Sequence, residues 1–178
     1  MTEAVLDAAL RAAMEATGAG SGWIVAMRHT VPVVVAVAGD AAAAPGDVLD
    51  RAAPAAIAAT TGQPSARSIA ADDRTAFGAG ASRAQPSALL TVPVGDGSGA
   101  IELAHAEGGP WAGASFTIDH IEIVSLLADV VAAAIDDASA PQVVPPDELA
   151  AELARLYAAD RARYALVAQV VSALVGNA

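Results

Sequence analysis

The sequence predicts an α+β fold in which antiparallel strands form one sheet with helices on both faces. Two stretches rich in Val and Ile, Gly22 to Arg28 and Val31 to Ala38, are separated by two residues, which predicts a β-hairpin. The second stretch is apolar at every position, so both of its faces are expected to be covered. A glycine-rich loop at 95–99 predicts a second hairpin, and segments of helical periodicity flank the strands.

The first half of the chain is predicted to contain three helices and a short strand besides the first hairpin. Apolar residues recur at three- and four-residue spacing from Glu3 to Ala16, which predicts an opening helix. Asp47 is suited to cap a second helix from Val48 to about Thr60. A short strand is expected over Ser65 to Ile69, followed by a short helix from Asp72 to Arg83.

The second half is predicted to contain the second hairpin and a long closing helix. The hairpin strands are Ser87 to Val94 and Ala100 to Ala106. Thr117 and Asp119 begin a helix that extends to about Asp137. This helix has two apolar stripes, so one is expected to face the sheet and the other to need cover from the first helix or another subunit.

Three segments are expected along the chain. Residues 1–138 form the domain, 139–146 form a proline-rich linker, and 147–178 form an amphipathic helix that begins at Asp147. Whether that helix folds back, swaps onto a partner or forms a coiled coil is left open. Its apolar seam follows a heptad pattern through Leu149, Leu153, Leu156, Asp160, Arg163, Val167, Val170 and Leu174.

Composition excludes several classes of protein. The 178 residues include 20 acidic and 9 basic side chains, so the net charge of -11 disfavours a nucleic-acid partner. The absence of cysteine excludes disulfide scaffolds, thiolate metal sites and cysteine nucleophiles. No apolar run is long enough to insert into a membrane, and no basic leader precedes the first helix, so we expect a cytoplasmic protein.

Five short strings, in this order and spacing, resemble the GAF domain family of small-molecule sensor modules. The resemblance extends from about Val5 to Ala138. The strings are Thr61-Gly62-Gln63-Pro64, Asp72-Asp73-Arg74, Pro86 to Val94, Gly99-Ala100-Ile101-Glu102-Leu103 and Phe116-Thr117-Ile118-Asp119.

The resemblance implies a five- or six-stranded antiparallel sheet with the first and closing helices on one face and a roofed ligand pocket on the other. It also implies a homodimer formed through the terminal helices. The pocket candidates are Met27, Val35, Arg67, Ile69, Phe77, Arg83, Leu90 and His105, and the two arginines would favour an anionic ligand. The dimer candidates are Leu6, Leu10, Ile123, Leu127, Val130, Leu153, Leu156, Tyr164 and Val167.

Several activities of the family lack their residues in this chain. Bilin attachment and sulfoxide reduction need cysteine, and cyclic-nucleotide binding is disfavoured because there is no lysine and the sole asparagine is Asn177. Haem would need an axial histidine, and His29, His105 and His120 are better explained as ordinary surface or boundary residues. No metal-ligand spacing, phosphate loop or nucleophile motif is present, so we expect no cofactor, no metal and no catalysis.

The sequence therefore predicts a non-enzymatic sensor domain whose ligand is a small apolar or anionic molecule. Binding would shift the packing of the terminal helices. Two alternatives stay open: a ligand-less GAF domain that serves only for dimerisation or scaffolding, with alanine filling the pocket, and a sensor fragment of a larger regulator.

Overall fold

A computed structural model describes residues 2–69, 86–106, 110, 114–139, 146–159, 161, 163–165 and 167–168. The chain divides into two compact units, Met1–Ser139 and Ala140–Ala178. The elements of the first unit are α1 (Thr2–Thr17), β1 (Ser21–Arg28), β2 (Val31–Gly39), α2 (Pro54–Thr61), β3 (Ser65–Ser68), β4 (Pro86–Val94), β5 (Gly99–Ala106) and α3 (Ile118–Ser139). The predicted helix between Asp72 and Arg83 lies outside the described residues.

The five strands form one antiparallel sheet in the order β2-β1-β5-β4-β3. This confirms the predicted α+β fold and both hairpins. Strand β5 lies at the centre, so its residues are paired on both sides and its side chains are covered on both faces.

Two hydrophobic cores lie on opposite faces of the sheet. The α1–α3 face packs large aliphatic side chains from both helices against the sheet, including Leu10, Ile101, Leu103 and Val124. The α2 face is covered mainly by alanines of α2 and of the 41–53 segment, with Trp23 as its largest member. Because neighbouring side chains on a strand point to opposite faces, the core to which a residue belongs identifies its face.

The first hairpin turns through two residues with left-handed backbone conformations, His29 at φ 50° and Thr30 at φ 69°. This is the conformation that a two-residue hairpin with the correct twist requires. It is unfavourable for a β-branched residue. The short link therefore holds the strands in register at the cost of local strain.

The second helix is shorter than predicted. Helix α2 begins at Pro54, and the preceding segment instead pairs with β2: the Val34 N–H donates to the Asp47 carbonyl, and the Leu49 N–H donates to the Pro32 carbonyl. The Asp47 carboxylate accepts the N–H of Ala44, so it closes a turn and caps no helix. The prediction of a helix starting at Val48 is wrong because edge pairing uses the backbone groups that such a helix would need.

The closing helix has the predicted start. The Thr117 hydroxyl accepts the N–H of His120 at 3.4 Å, and the Thr117 N–H donates to His120 Nδ1 at 3.3 Å. This reciprocal arrangement satisfies two backbone donors that the first turn of a helix leaves open.

The second unit contains α4 (Pro146–Ala159), and the described positions from 161 to 168 are also helical. The rings of Tyr157 and Tyr164 meet edge to face at 5.2 Å, and the Arg161 guanidinium lies over Tyr157. In the part of the chain that the structure describes, no helix has both the length and the apolar character needed to cross a membrane.

Candidate functional site

The two faces of the sheet divide the predicted ligand residues. Met27 and Ile69 pack at the margin of the α2 core. Arg67 lies opposite Leu89 in the β3–β4 register, so it shares the α2 face, and its side chain is exposed at the edge of the sheet. Phe77 and Arg83 lie outside the described residues.

Three predicted ligand residues lie on the other face of the sheet. Leu90 is buried in the α1–α3 core and Val35 packs against it. Val35 is the extra residue of a bulge, because Ile24 pairs with Ala36 whereas Val25 pairs with Val34. Because of the bulge, Val35 and its neighbour Ala36 both lie on the α1–α3 face.

His105 also points to the α1–α3 face, where its ring stacks on Phe116 at 4.2 Å. It is buried, and burial together with the charge of the nearby His120 lowers its pKa. His105 therefore packs at the start of α3, on the face opposite α2, and its role in binding a ligand stays a prediction.

The sequence prediction missed the most unusual group of the α2 face, which is Glu102 in the centre of β5. Its side chain is only 3% exposed, and Oε2 has no hydrogen-bond partner within the described residues. Burial raises the pKa of this carboxyl from 4.5 to about 7. The charge of Arg67, the backbone N–H of Ala55 and the Thr91 hydroxyl oppose that rise only in part.

Two buried hydroxyls accompany Glu102 on this face. Thr91, on β4, lies directly opposite Glu102. Ser21, on β1, lies opposite Ala104 of β5 and is therefore diagonal to Glu102. Both residues are 1% exposed, and neither hydroxyl oxygen has a hydrogen bond of good geometry in the described part of the chain. Buried polar groups are normally paired, so this cluster of three marks a polar site in an apolar layer.

The buried side chains with which helix α2 covers this polar cluster are all methyl groups. On the side of α2 that faces the sheet, four alanines are buried: Ala55, Ala56, Ala58 and Ala59. Ile57, the only large apolar side chain of α2, is 49% exposed. At about 0.8 kcal/mol for each buried methyl, the four alanines contribute roughly 3 kcal/mol. A helix attached by leucines would be held several times more strongly, so α2 is a weakly attached roof.

Two cavities lie away from the α2 roof. One of about 370 Å³ lies at the end of α1 and is lined by residues that include Glu15, Gly18 and His105. The other, of about 350 Å³, lies along β2 and is lined by residues that include Leu6, Arg28 and Val35. Among the described residues, no three His, Asp or Glu side chains lie close enough together to hold a metal ion.

The predicted dimer residues differ in their exposure. Leu6 and Leu10 are buried in the α1–α3 core, so the prediction that they contact a partner is corrected. Ile123 and Val130 are exposed on α3, and Leu127 is half-buried beside them. In the second unit, the half-buried members are Leu153, Leu156, Tyr164 and Val167.

The exposed apolar surface of α3 is larger than the sequence indicated. Leu126 is 72% exposed on the same helix, and Ile118 is exposed at its start. The periodicity signalled two stripes but did not show which one would face solvent.

Comparisons with known proteins agree with this architecture. A family model described as GAF domain matches residues 2–136. A comparison with curated proteins found no match.

Several solved structures share the fold. The GAF domain of an Acinetobacter phosphoenolpyruvate-protein phosphotransferase aligns with a TM-score of 0.67 at 13% identity, covering 82% of this chain and 88% of that one. A type II free methionine-R-sulfoxide reductase from Thermoplasma acidophilum aligns with a TM-score of 0.61 at 16% identity, covering 76% of this chain and 92% of that one. The GAF-B domain of DevS from Mycobacterium smegmatis aligns with a TM-score of 0.53 at 19% identity, covering 78% and 96%.

Proposed function

Because the chain belongs to the GAF domain family, we propose that it is a non-enzymatic, cytoplasmic sensor module that binds a small molecule on the α2 face of its sheet. The observation that carries the proposal is the cluster of buried polar side chains beneath an alanine roof. The opposite face packs aliphatic side chains from two long helices, and the two cavities described above are lined partly by residues of that core. The α2 face combines polar groups, a weakly held cover and the exposed cation of Arg67 at its margin.

Arg67 supplies the contact for an acidic group of the ligand. Its guanidinium offers five N–H donors in a planar arrangement that matches a carboxylate or a phosphate. The position at the edge strand β3 leaves the side chain open to solvent, so an anion can reach it without unfolding the core.

Strand β5 provides a route from the ligand to the terminal helices. Glu102 faces α2, whereas its neighbours Ile101 and Leu103 belong to the core that contacts α1 and α3. A ligand that displaces α2 and settles on β5 would change the packing of both layers. The signal would be a shift in population between two arrangements of the end helices.

We propose that these helices also form the interface of a homodimer, with a second copy of the chain as the partner. Support comes from the exposed apolar side chains of α3, of which Leu126 is the most exposed, and from Val5 of α1, which is 36% exposed. A large apolar stripe on a helix that already packs its other stripe on the sheet is typical of an interface.

Native mass spectrometry of the full chain purified from its own host tests ligand binding. We expect the wild-type protein to retain a small molecule as added mass, and Arg67→Gln to retain much less of it. Arg51→Gln is the matched control, since Arg51 is also exposed but lies before α2. Wild-type protein free of any ligand, or equal retention by Arg67→Gln, would contradict the proposal.

A ligand-less scaffold is the second candidate function. The observation that favours it is the burial of the four alanines of α2 between helix and sheet, where each is at most 3% exposed. A homodimer without retained ligand in the same measurement would favour this function over sensing.

A further inference from the structure

Glu102 is a buried acid whose charge is only partly compensated. Among the described residues, Arg67 is the charged side chain whose field reaches it. Helix α2, from Pro54 to Thr61, contributes no titratable side chain, and the cross-strand neighbours of Glu102 are Trp23 and Thr91, which carry no charge. Because Arg67 is exposed and two strands away, the part of the chain that the structure describes gives the carboxyl no direct counter-ion.

When Glu102 is ionised, the unused hydrogen-bonding capacity around it includes two acceptor oxygens. Glu102 Oε2 and Thr91 Oγ1 come from directly opposed positions on the two central strands. An ionised carboxylate can only accept hydrogen bonds, and a hydroxyl can accept one as well. An anionic group placed here would be repelled, whereas a nitrogen that carries N–H donors would be bound.

We propose that Glu102 and Thr91 bind a protonated nitrogen of the ligand. This inference rests on the proposed function, because it assigns the chemistry of the same α2 face. Together with an acidic group at Arg67, it describes a small molecule that carries a basic nitrogen and an acid. A protonated nitrogen gives Glu102 a direct counter-ion, which none of the described residues supplies, and charge-assisted hydrogen bonds are roughly twice as strong as neutral ones.

Ser21 extends the polar surface in the opposite direction along the sheet. Its hydroxyl is diagonal to Glu102 across the β1–β5 pair, so it would contact a substituent and not the nitrogen itself. The apolar part of the ligand would rest on Trp23 and the neighbouring alanines.

Four small probes with the same carbon chain separate the contributions of charge. We would titrate the full wild-type chain at pH 8 with n-butylammonium, butyrate, 1-butanol and 4-aminobutyrate, following binding by calorimetry and by amide NMR shifts. We expect butylammonium to bind at least about tenfold more tightly than butanol, because a hydrogen bond to a charged group contributes at least that factor. 4-Aminobutyrate should bind most tightly, since it meets both Glu102 and Arg67.

Matched variants locate the contact. Glu102→Gln keeps the shape of the side chain and should reduce butylammonium affinity at least about tenfold, to the level of butanol. Glu122→Gln, an exposed substitution of the same kind on α3, should leave it unchanged. Thr91→Val should weaken binding by a smaller factor, and circular dichroism of each variant verifies that it is folded.

The pH dependence gives an independent readout. Since burial raises the pKa of Glu102 to about 7, the wild-type affinity for butylammonium should rise about tenfold from pH 6 to pH 8. The affinity of Glu102→Gln should stay level over the same range.

The outcomes distinguish this inference from the proposed function. Butylammonium binding that persists in Glu102→Gln within twofold would overturn the assignment. Binding of butyrate alone, lost in Arg67→Gln, would overturn it while leaving the sensor function intact. If none of the four probes binds and the host-purified protein retains no ligand, both the assignment and the sensor function fail.

Discussion

At the scale of single residues, Glu102 shows how the pattern of a strand conceals a buried acid. Along β5, Ala100, Glu102 and Ala104 alternate with Ile101 and Leu103. Such alternation usually means that the small and polar set faces solvent. Here helix α2 covers the small and polar side chains of β5, so the carboxyl of Glu102 is buried. The local sequence of β5 does not indicate that a helix covers this face.

The raised pKa of Glu102 predicts that stability falls as the pH rises. The folded protein holds this proton up to about pH 7, whereas the unfolded chain releases it near 4.5, so between these values the folded state binds more protons. From pH 5 to pH 8 the difference should cost the wild-type protein roughly 2–3 kcal/mol of unfolding free energy. Glu102→Gln should remove that cost.

Urea denaturation at both pH values measures this effect. We expect Glu102→Gln to be more stable than wild type at pH 8 by a larger margin than at pH 5, with Glu122→Gln as the control for other titrating groups. A margin that is the same at both pH values would mean that Glu102 is solvated or fully paired.

The hairpin turn of β1 and β2 carries a second residue-scale prediction. Thr30 is a β-branched residue at φ 69°, and glycine adopts that conformation without a steric penalty. Thr30→Gly should therefore stabilise the protein by about 0.5–1 kcal/mol, after the extra entropy of glycine in the unfolded chain. Chemical denaturation at constant pH measures the change.

Thr30→Gly also removes the hydrogen bond from Arg51 to the Thr30 hydroxyl. This loss should change the free energy of unfolding little, because the hydrogen bond is exposed and 3.4 Å long. Arg51→Ala controls for it and is expected to change stability only slightly. A Thr30→Gly protein that is less stable than wild type would show that the turn is not strained.

At the scale of elements, strands and long helices were predictable and the short helix was not. The hairpins follow from dense Val and Ile around turn residues, and α3 follows from its cap at Thr117 and its unbroken periodicity. The segment before α2 was misinterpreted because Asp47 is equally suited to close a turn, and the pairing of Val48 with Val33 is a long-range contact.

Face assignment was the least predictable property of the candidate site. Leu90 and His105 were placed in the pocket although strand alternation puts them on the α1–α3 face. The face on which Val35 lies depends on a β-bulge, and no glycine in the sequence marks the position of that bulge. Of the pocket residues that the structure describes, Met27, Arg67 and Ile69 lie on the proposed ligand face.

The exposed stripe of α3 gives the element-scale prediction. Leu126→Glu places a charge at the most exposed apolar position of that helix and should weaken the homodimer at least about tenfold, which corresponds to about 1.4 kcal/mol. Ile57→Glu is the control, because Ile57 is an exposed apolar residue on α2. Sedimentation velocity over a concentration series measures both.

If Leu126→Glu and wild type sediment alike as dimers, the interface lies elsewhere. If Ile57→Glu dissociates the dimer instead, α2 takes part in assembly, and its proposed role as a ligand roof would need revision.

At the scale of the whole molecule, one sheet separates two tasks. The α1–α3 face holds the large aliphatic core that stabilises the fold and carries the outward apolar stripe. The α2 face combines alanine packing with an acid, two hydroxyls and an edge arginine. Alanine abundance was visible in the composition, but only the fold shows that it is concentrated over the polar cluster.

The proposed ligand chemistry depends most on the charge state of the Glu102 carboxyl in the ligand-free protein. A carbon-13 NMR titration of the glutamate side-chain carboxyl carbons measures it directly, with the Glu102 resonance identified by its loss in Glu102→Gln. We expect a midpoint near pH 7. A midpoint at the ordinary value near 4.5 would contradict it, because the carboxyl would then be solvated or already paired and would have no need of a ligand's charge.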